Sequence, residues 1–600
     1  MIVPTAHDPA SEYQRRLADR RADIRRLESY DRRLAASRGL TFLAAVAVAF
    51  FWLSNRAVSV WAIAALLAAF VALVLLHGTV LDRLNRVRVA AAYYERALDR
   101  LADRWSGRWT TGQRYLDGSH LYADDLDLFG RGSLFELVCQ ARTRLGEDTL
   151  AEWLSAPASA ETIRMRQEAV DELRGNVDLR ERIALLNAEV HEDLDQNRLI
   201  DWSREPARPV RRRVRAGAVL LALASLAALT ASATSDVGIS PFLFTLIIDG
   251  IVTVSYGRKT RRLARTADRA ASGLAILSQV LAIIEREHFH CALLAEIRRR
   301  LQTQGTPPSR QIARLQRLID YLNNCLRNQF FVPIAFVLRL PVHLVHAIEV
   351  WRADVGPHIP DWLRAVGEFE ALACLSGFAF EHPDYPFPKI AETGVCFDAR
   401  QLGHPLIPAH QCVRNDLRLD EQTRLVLISG SNMSGKSTML RTVGTNVVLA
   451  QAGAPVRAEA LTLSVLQLGT AMRIRDSLQS GESLFYAAVS RLKAVVDCAR
   501  NGRPLLFLFD EILQGTNSHD RLVGSEGVLR ALVERGAIGL TTTHDLALTQ
   551  IVQRLGSRAV NVHFEDTLVD GKMAFDYRIR PGVVQKSNAL ELMRLMGLDV

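Results

Sequence analysis

The chain has 600 residues, a length that excludes a single hydrophobic core and predicts two to four structural units. Its seven cysteines are scattered singly, which excludes a cysteine metal site of the usual spacing and indicates reduced thiols in a cytoplasmic setting. Apolar residues make up 49% of a chain that is also 23% charged, so the apolar residues must be concentrated in particular segments. The net charge of +9 suits phosphate-rich or anionic-lipid partners and does not choose between them.

The first apolar concentration follows a polar N-terminal segment. Residues 39–55 are uncharged over 17 positions, and residues 57–81 are uncharged over 25. A bilayer core requires about 20 apolar residues in a helix, so the second stretch is long enough and the first is marginal. We expect a cytoplasmic segment over 1–38 and a transmembrane hairpin over 39–81.

A second apolar pair lies between two long polar regions. Residues 216–235 give 20 uncharged positions, and residues 237–257 are interrupted only by Asp249. These stretches predict a second transmembrane hairpin over 215–257. Because a carboxylate is costly in lipid, Asp249 should face the partner helix of the hairpin or lie near an interface.

The charges beside these segments predict their orientation. Arginines precede the second pair at 211–213 and follow it at 258–262, while the tip between its two stretches is nearly bare. Arg-rich flanks belong in the cytoplasm, so the long polar regions would all lie inside a multi-pass protein of the inner (cytoplasmic) membrane. The alternative is that the four stretches are buried helices of a large soluble protein.

The polar region between the hairpins is expected to be helical. Apolar residues recur at three and four spacing in 134–154, and we interpret 82–214 as the first part of a helical core. Its second part, the lever, would cover 258–390, and a Pro-rich stretch at 381–390 predicts a linker before a last domain over 395–600.

The region after the second hairpin is strongly basic. Residues 256–339 hold fifteen Lys or Arg against five Asp or Glu. Such a helical stretch can follow a nucleic-acid backbone or lie on a membrane surface. The sequence favours neither interpretation.

The first chemically informative motif is RLVLISGSNMSGKSTML, at residues 424–440. An apolar run ends in the pattern G-x-x-x-x-G-K-S, which predicts a strand, a phosphate-binding loop and a helix. Backbone amides of such a loop wrap phosphates, and the helix N-terminus adds its positive end. We expect Lys436 to reach the β- and γ-phosphates of ATP and to serve catalysis, and the Ser437 hydroxyl to coordinate Mg²⁺. The predicted nucleotide-binding residues are Gly430, Ser431, Asn432, Met433, Ser434, Gly435, Lys436, Ser437 and Thr438.

A second motif, PLLFLFDEI at 504–512, has the pattern of a buried strand that ends in two acids. At the carboxyl edge of a phosphate-binding sheet, Asp510 would hold Mg²⁺ and Glu511 would orient or deprotonate the attacking water. The alternative is that two acids merely begin a loop. A third apolar strand, AIGLTTTHD at 537–545, ends at His544. A lone histidine usually has no catalytic role, but its position after a third apolar strand indicates that His544 senses the γ-phosphate.

Together, GSNMSGKST, DEILQGTNSHD (510–520) and TTTHD resemble the ATPase domain of the MutS family of DNA mismatch-repair proteins, a branch of the ABC-type ATPases. DSLQSGESLF (476–485) resembles the family's signature loop, which implies that Ser483 reaches the γ-phosphate bound by the other subunit of a dimer. Upstream, GSLFELV (132–138), RQEAVDEL and GHPLIP (403–408) resemble the family's core and lever.

The sequence also departs from the family pattern. The family's mismatch-reading Phe-x-Glu occurs here only as Phe509–Glu511, inside the predicted ATPase strand, so direct mismatch reading is not expected. The second hairpin occupies about the position of the family's DNA clamp. Where relatives often place an aromatic residue to stack on adenine, Cys412 and Val413 stand, which suggests relaxed base selectivity.

The expected fold is an α/β P-loop (ABC-type) ATPase domain at the C-terminus, preceded by an all-helical core and lever with two transmembrane hairpins. The expected function is hydrolysis of ATP with Mg²⁺ at composite sites of a homodimer anchored in the lipid bilayer, coupled to binding of double-stranded DNA. The alternative is a mechanical or scaffolding ATPase that acts on lipid or on an unknown protein partner without DNA. An ABC-type exporter is disfavoured because four spans in two separate hairpins give a small pathway.

Overall fold

The computed structural model describes residues 8–55, 59–186, 196–234, 238–302, 305–473, 484–500, 502–513, 516–569 and 572–584. The described chain is mostly helical up to residue 381 and mixed α/β after it. It divides into two compact units: residues 1–139, 153–185 and 375–600 form the first, and residues 140–152 and 186–374 form the second.

The helices before the ATPase region vary widely in length. In chain order they are α1 (Pro9–Asn55), α2 (Val60–Leu101), α3 (Leu134–Val138), α4 (Arg144–Ser155), α5 (Ala160–Arg174), α6 (Val177–Ala184), α7 (Gln196–Arg204), α8 (Arg212–Thr234), α9 (Ser240–Arg286), α10 (Ala292–Arg300), α11 (Pro308–Arg327), α12 (Val332–Val337), α13 (Leu340–Val355) and α14 (Ile359–Glu381).

The ATPase region alternates strands and helices. Its elements are β1 (Lys389–Ile390), β2 (Phe397–Leu402), β3 (Asn415–Leu419), β4 (Leu425–Ser429), α15 (Lys436–Ala452), β5 (Ala460–Leu463), β6 (Gln467–Ala471), α16 (Leu484–Ala499), β7 (Leu505–Asp510), α17 (Ser518–Glu534), β8 (Ile538–Thr543), α18 (Ile551–Leu555), β9 (Ala559–Val569) and β10 (Lys572–Pro581). Because β1 pairs with β5 of a small four-stranded sheet, the pairing of this region begins before the expected start at residue 395.

The larger sheet positions the candidate site. Its six strands have the order β10-β9-β4-β8-β7-β6, and β9, β4, β8, β7 and β6 run parallel. β4, β7 and β8 are continuous apolar or small-residue runs with almost every residue buried, as expected for strands covered on both faces. Their carboxyl ends therefore meet at one edge, which is where ligands bind in such sheets.

α1 and α2 form a long antiparallel hairpin whose apolar half is exposed. Arg21 pairs with Glu95 near the polar end, and His77 lies 2.6 Å from Asp31 further along. Beyond that contact, large apolar side chains such as Phe50 and Trp61 face outward. At the polar end, the guanidinium of Arg100 forms a buried ion pair with Glu381 at the end of α14, at 2.8 Å between Nε and Oε2.

Among the residues that the structure describes, four helical windows are long and apolar enough to cross a membrane, by length and composition only. They lie in α1, in α2, in α8 and at Thr266–Arg286 in α9. The first three lie in the helices that contain the predicted spans and have almost no buried residues, whereas the last is about half buried because one face of α9 packs on α11. The predicted fourth span, 237–257, is represented by the shorter exposed apolar stretch Ser240–Ile251 at the start of α9.

In the second unit, α8 and α9 pack together as the second apolar hairpin. Asp249 of α9 is fully buried and accepts a hydrogen bond from Ser225 of α8 at 3.3 Å. The prediction that Asp249 faces the partner helix is therefore confirmed.

The helical pattern of residues 134–154 is divided between two helices. α3 ends at Val138, and α4 begins at Arg144. Between them, the amides of Arg142 and Thr143 donate to the buried carboxyl of Glu370, so the chain satisfies these groups with a side chain rather than with helical carbonyls.

Candidate nucleotide site

The phosphate-binding loop connects β4 to α15 as predicted. Gly430 and Gly435 adopt φ values of 150° and 102°, and Gly435 stands directly before the first turn of α15. A Cβ at Gly430 would lie 2.9 Å from Ser434 Oγ and 3.0 Å from the Phe564 carbonyl oxygen, so the loop requires glycine there. The loop thus directs backbone amides and the helix N-terminus toward one concave space.

Lys436 is buried within this loop. Its ammonium donates to the carbonyl oxygens of Gly430 and Ser431, each at 2.8 Å. Burial lowers the pKa of Lys436, while the carboxylates of Glu511, Asp510 and Asp566 act in the opposite direction. The lysine and the two predicted acids therefore lie close enough to interact electrostatically.

Two hydroxyl groups of the loop fit a phosphate ligand. Ser431 Oγ is buried and has no hydrogen-bond partner among the described residues. Ser437, the predicted Mg²⁺ ligand, lines the same cavity as Lys436. An unpartnered buried donor beside a buried ammonium is the arrangement that an anionic oxygen would complete.

The acidic pair lies at the end of β7, next to the end of β8. Thr542 connects the two acids, because its hydroxyl donates to Asp510 and accepts from the amide of Glu511 at 3.2 Å. Glu511 has φ 51°, a left-handed conformation that is uncommon for a non-glycine residue. This backbone turn places Glu511, but not Asp510, among the residues that line the cavity.

His544 follows β8, as predicted, and is half exposed. Its Nδ1 lies 3.1 Å from Glu511 Oε1. The neighbouring Asp545 is fixed by an ion pair with Arg521 at 3.0 Å. The structure therefore brings His544 to Glu511, where the histidine ring can orient the carboxylate.

A cavity of about 530 Å³ extends from the loop toward β2, β3 and β10. Cys412 and Val413 line it, as do His404 and Tyr577. Burial lowers the pKa of His404 to about 4, so this ring is neutral at physiological pH. The cavity has room for a nucleotide base and sugar beyond the phosphate loop.

Several site residues were missed in the sequence. Tyr577 lines the cavity beside Gly435, with its Cδ1 3.1 Å from the position of an added Cβ, and its φ of 55° marks a bulge in β10. Asp566 acts on Lys436 from β9. Of these residues, Thr542 alone could have been predicted from the sequence, because the hydroxyl-rich TTT precedes His544 at the carboxyl end of a strand.

The predicted metal ligands fit Mg²⁺ only together with a nucleotide. No three His, Cys, Asp or Glu side chains cluster as a metal site in the part of the chain that the structure describes. Mg²⁺ usually takes one or two protein carboxylates together with substrate phosphates and waters. Ser437 and Asp510 would be the protein ligands of such a nucleotide-bound Mg²⁺. Ser483 lies outside the described residues, as does most of the stretch 476–485.

Comparison with known proteins identifies the region that carries this site. The family model described as MutS domain V matches residues 426–599. This region of the chain belongs to the MutS family. Among curated MutS relatives, the DNA mismatch repair protein MutS of Lactobacillus johnsonii is 31% identical over 255 residues, and DNA mismatch repair protein MutS 2 of Halobacterium salinarum is 34% identical over 254 residues.

These MutS alignments are partial. They cover 41% of this chain and 29% and 28% of the two relatives. The DNA mismatch repair protein MutS of Natronomonas pharaonis is 31% identical over 250 residues, with 28% of that protein covered. The likeness therefore identifies a MutS-type P-loop ATPase domain in this chain, and the chain spans less than a third of the length of the relatives it matches.

Proposed function

We propose that this MutS-family chain is a membrane-anchored ATPase that binds and hydrolyses Mg²⁺-ATP at composite sites of a homodimer and couples this cycle to DNA. The observation that carries the proposal is the convergence of Lys436, Asp510 and Glu511 at one edge of the parallel sheet, beside a cavity of nucleotide size.

In the proposed reaction, each site residue has a separate task. Lys436 exchanges its two carbonyl partners for the β- and γ-phosphates, and Ser431 Oγ gains a partner. Ser437 and Asp510 would hold Mg²⁺, which would neutralise charge on the phosphates. Glu511, oriented by Thr542 and His544, accepts a proton from the attacking water.

Tyr577 supports a refinement of the expected base binding. It lines the cavity together with Phe564 and has its ring against Gly435 of the phosphate loop, while Cys412 and Val413 form a non-aromatic wall. We infer that the Tyr577 ring contributes stacking or hydrophobic contact to the nucleoside, which the absence of an aromatic residue at 412 and 413 had left open.

A dimer is supported by apolar side chains that remain exposed on loops and helix starts of the ATPase domain. Met433 in the phosphate loop is 85% exposed, and Leu546 is 51% exposed two residues after His544. Large exposed apolar groups beside a polar site are typical of a surface that a partner covers. Ser483 of a second copy would complete the site from that side.

Membrane anchoring is supported by the exposed apolar faces of both hairpins. Side chains such as Leu53 and Leu75 in the first, and Leu220 and Phe244 in the second, are more than half exposed. Water would oppose such exposure by about 25 cal/mol per Å² of apolar surface, whereas lipid would not. We therefore place the protein in the inner membrane, with the ATPase domain in the cytoplasm.

The proposed cargo is double-stranded DNA, and the alternative is a mechanical or scaffolding role on lipid or protein. To separate them, purified full-length protein and Glu511→Gln, each with and without Mg²⁺-ATP, are titrated with a double-stranded oligonucleotide over a range of salt concentrations. Binding that falls steeply with salt and differs with and without ATP supports DNA. The alternative is supported if the oligonucleotide does not change the rate of ATP turnover and ATP does not change oligonucleotide binding at any salt concentration.

A further inference from the structure

The ion pair of Asp249 takes its basic partner from outside the second hairpin. Arg339, between α12 and α13, donates to one carboxylate oxygen of Asp249, while Ser225 of α8 donates to the other. Both charged side chains are buried, Asp249 completely and Arg339 to 4% exposure. An acid within an apolar hairpin is thus neutralised by a residue 90 positions further along the chain.

The position of Ser225 gives the depth of this pair. It is the tenth of the 20 uncharged residues 216–235. At 1.5 Å per residue it lies about 14 Å along α8 from Ala216, near the middle of a bilayer core about 30 Å thick. Since Ser225 and Arg339 bind the same carboxylate, Arg339 reaches that depth as well.

A second contact gives the depth of α13. Arg215 Nη1, one residue before the uncharged run of α8, lies 2.8 Å from His346 Nε2. α13 therefore rises from mid-depth at Arg339 to the inner edge of the hairpin at His346. α12 also packs against α8 and α9, so the chain on both sides of Arg339 follows the hairpin.

The sequence around Arg339 is almost free of charge. Residues 328–348 contain Arg339 as their single Asp, Glu, Lys or Arg. Phe330 just before α12, Ile334 within it and Leu338 directly after it are 90%, 52% and 39% exposed. The residues that directly follow Ile334 and Leu338, Ala335 and Arg339, are buried. An outward apolar stripe and an inward charge are the reverse of the pattern on a water-facing helix.

We propose that residues 328–348 form a re-entrant membrane element, in which α12 enters the bilayer beside the second hairpin and α13 returns. Arg339 makes the turn with φ 55°, and its amide donates to the Phe336 carbonyl at 3.3 Å, so the bend keeps a backbone hydrogen bond. Acyl chains of the bilayer cover the stripe of Phe330, Ile334 and Leu338. This inference rests on the membrane anchoring proposed above.

Photo-cross-linking of the full-length protein tests what covers the stripe. Benzoylphenylalanine is introduced by the substitution of Ile334, and the protein is reconstituted in vesicles of phosphatidylethanolamine and phosphatidylglycerol with an alkyne on the acyl chain. Leu223, an exposed residue of α8, serves as the hairpin control, and Arg364, exposed on α14, serves as the water-facing control. We expect lipid adducts at 334 and 223 and none at 364.

The outcomes separate this inference from the anchoring itself. Lipid adducts at 223 without adducts at 334 overturn the re-entrant element and leave the hairpin anchored. A cross-link from 334 to a second copy of the chain also overturns it, because the stripe would then be a dimer contact. The lack of adducts at both positions overturns the membrane anchoring as well.

The ion pair allows an independent test in detergent-purified protein. Asp249→Leu and Arg339→Leu each leave one charge buried without its partner, so each should lower the melting temperature, whereas the double variant should recover most of the loss. The control is the same set of leucine substitutions at Arg300 and Glu368, whose ion pair is closer to the surface. Purely additive losses at 249 and 339 would contradict the paired arrangement at depth.

Discussion

At the scale of single residues, the site depends on how Glu511 is held. Its backbone is left-handed, the hydroxyl of Thr542 accepts a hydrogen bond from its amide, and Nδ1 of His544 lies 3.1 Å from its carboxylate. The sequence predicted the two acids and the histidine from their positions after apolar strands. It did not predict the contacts among them, since a positive φ at a glutamate and a hydroxyl bridge depend on the register of β7 with β8.

Substitution of Thr542 by valine tests this support. Loss of the hydroxyl frees the Asp510 carboxylate and the Glu511 amide, so we expect turnover to fall by about tenfold, corresponding to the loss of one or two hydrogen bonds. The Mg²⁺ concentration for half-maximal activity should rise. Thr541→Val is the matched control, because Thr541 Oγ1 is buried without a partner among the described residues. Equal activity of the two variants would contradict the proposed bridge.

Tyr577 gives a second test at this scale. Removal of the ring by Tyr577→Ala should weaken ATP binding by about tenfold, since an aromatic contact to a base contributes roughly 1–3 kcal/mol. Tyr577→Phe should bind as the wild type does, because the ring rather than the hydroxyl makes the contact. Equilibrium binding of a fluorescent ATP analogue measures both. An unchanged affinity of the alanine variant would remove Tyr577 from the site.

At the scale of elements, strongly patterned segments were predicted and interrupted ones were not. The apolar runs of β4, β7 and β8 and of the hairpins stand out in the sequence. The break between α3 and α4 does not, because it depends on Glu370, more than 200 positions away. Residues 328–348 were not predicted as a membrane element because Arg339 divides their apolar run. The partner of Arg339, Asp249, is also distant in sequence.

Glu370 predicts how the stability of the second unit depends on pH. Burial raises the pKa of its carboxyl to about 7 from 4.5, although the Thr143 hydroxyl and two amides partly oppose this. A raised folded-state pKa means that the folded protein binds the proton more tightly than the unfolded chain. The free energy of unfolding should therefore fall by about 3 kcal/mol as pH rises from about 4.5 to 7 and change little above that.

Thermal unfolding at pH 5 and pH 8 measures this effect. Glu370→Gln should lose the part of the pH dependence that favours acid, because a neutral amide takes the place of the protonated carboxyl. The control is Glu368→Gln, two positions before Glu370, which removes the ion-pair partner of Arg300. This variant should keep the pH dependence of the wild type. The same pH slope in wild type and Glu370→Gln would contradict the assignment.

At the scale of the whole molecule, the two apolar hairpins are connected to the ATPase domain in different ways. The first hairpin lies in the same compact unit as the ATPase domain, and the second is connected to it along the chain. In the first unit, the buried pair Arg100–Glu381 ties α2 to the end of α14, eight residues before β1. In the second, Arg339 ties α9 to the start of α13, which the chain connects to α14. The sequence predicted a helical lever between the second hairpin and the ATPase domain. It did not predict which residues connect these elements, because buried ion pairs between distant residues leave no local sequence pattern.

The most direct measurement is ATP turnover by purified full-length wild type beside Glu511→Gln, together with equilibrium ATP binding by both. The account predicts that the variant binds Mg²⁺-ATP as the wild type does and hydrolyses it at least about 100-fold more slowly, because a general base contributes roughly 10²–10⁴ to such a rate. Turnover by Glu511→Gln at the wild-type rate, or a wild type that fails to bind ATP, would contradict it.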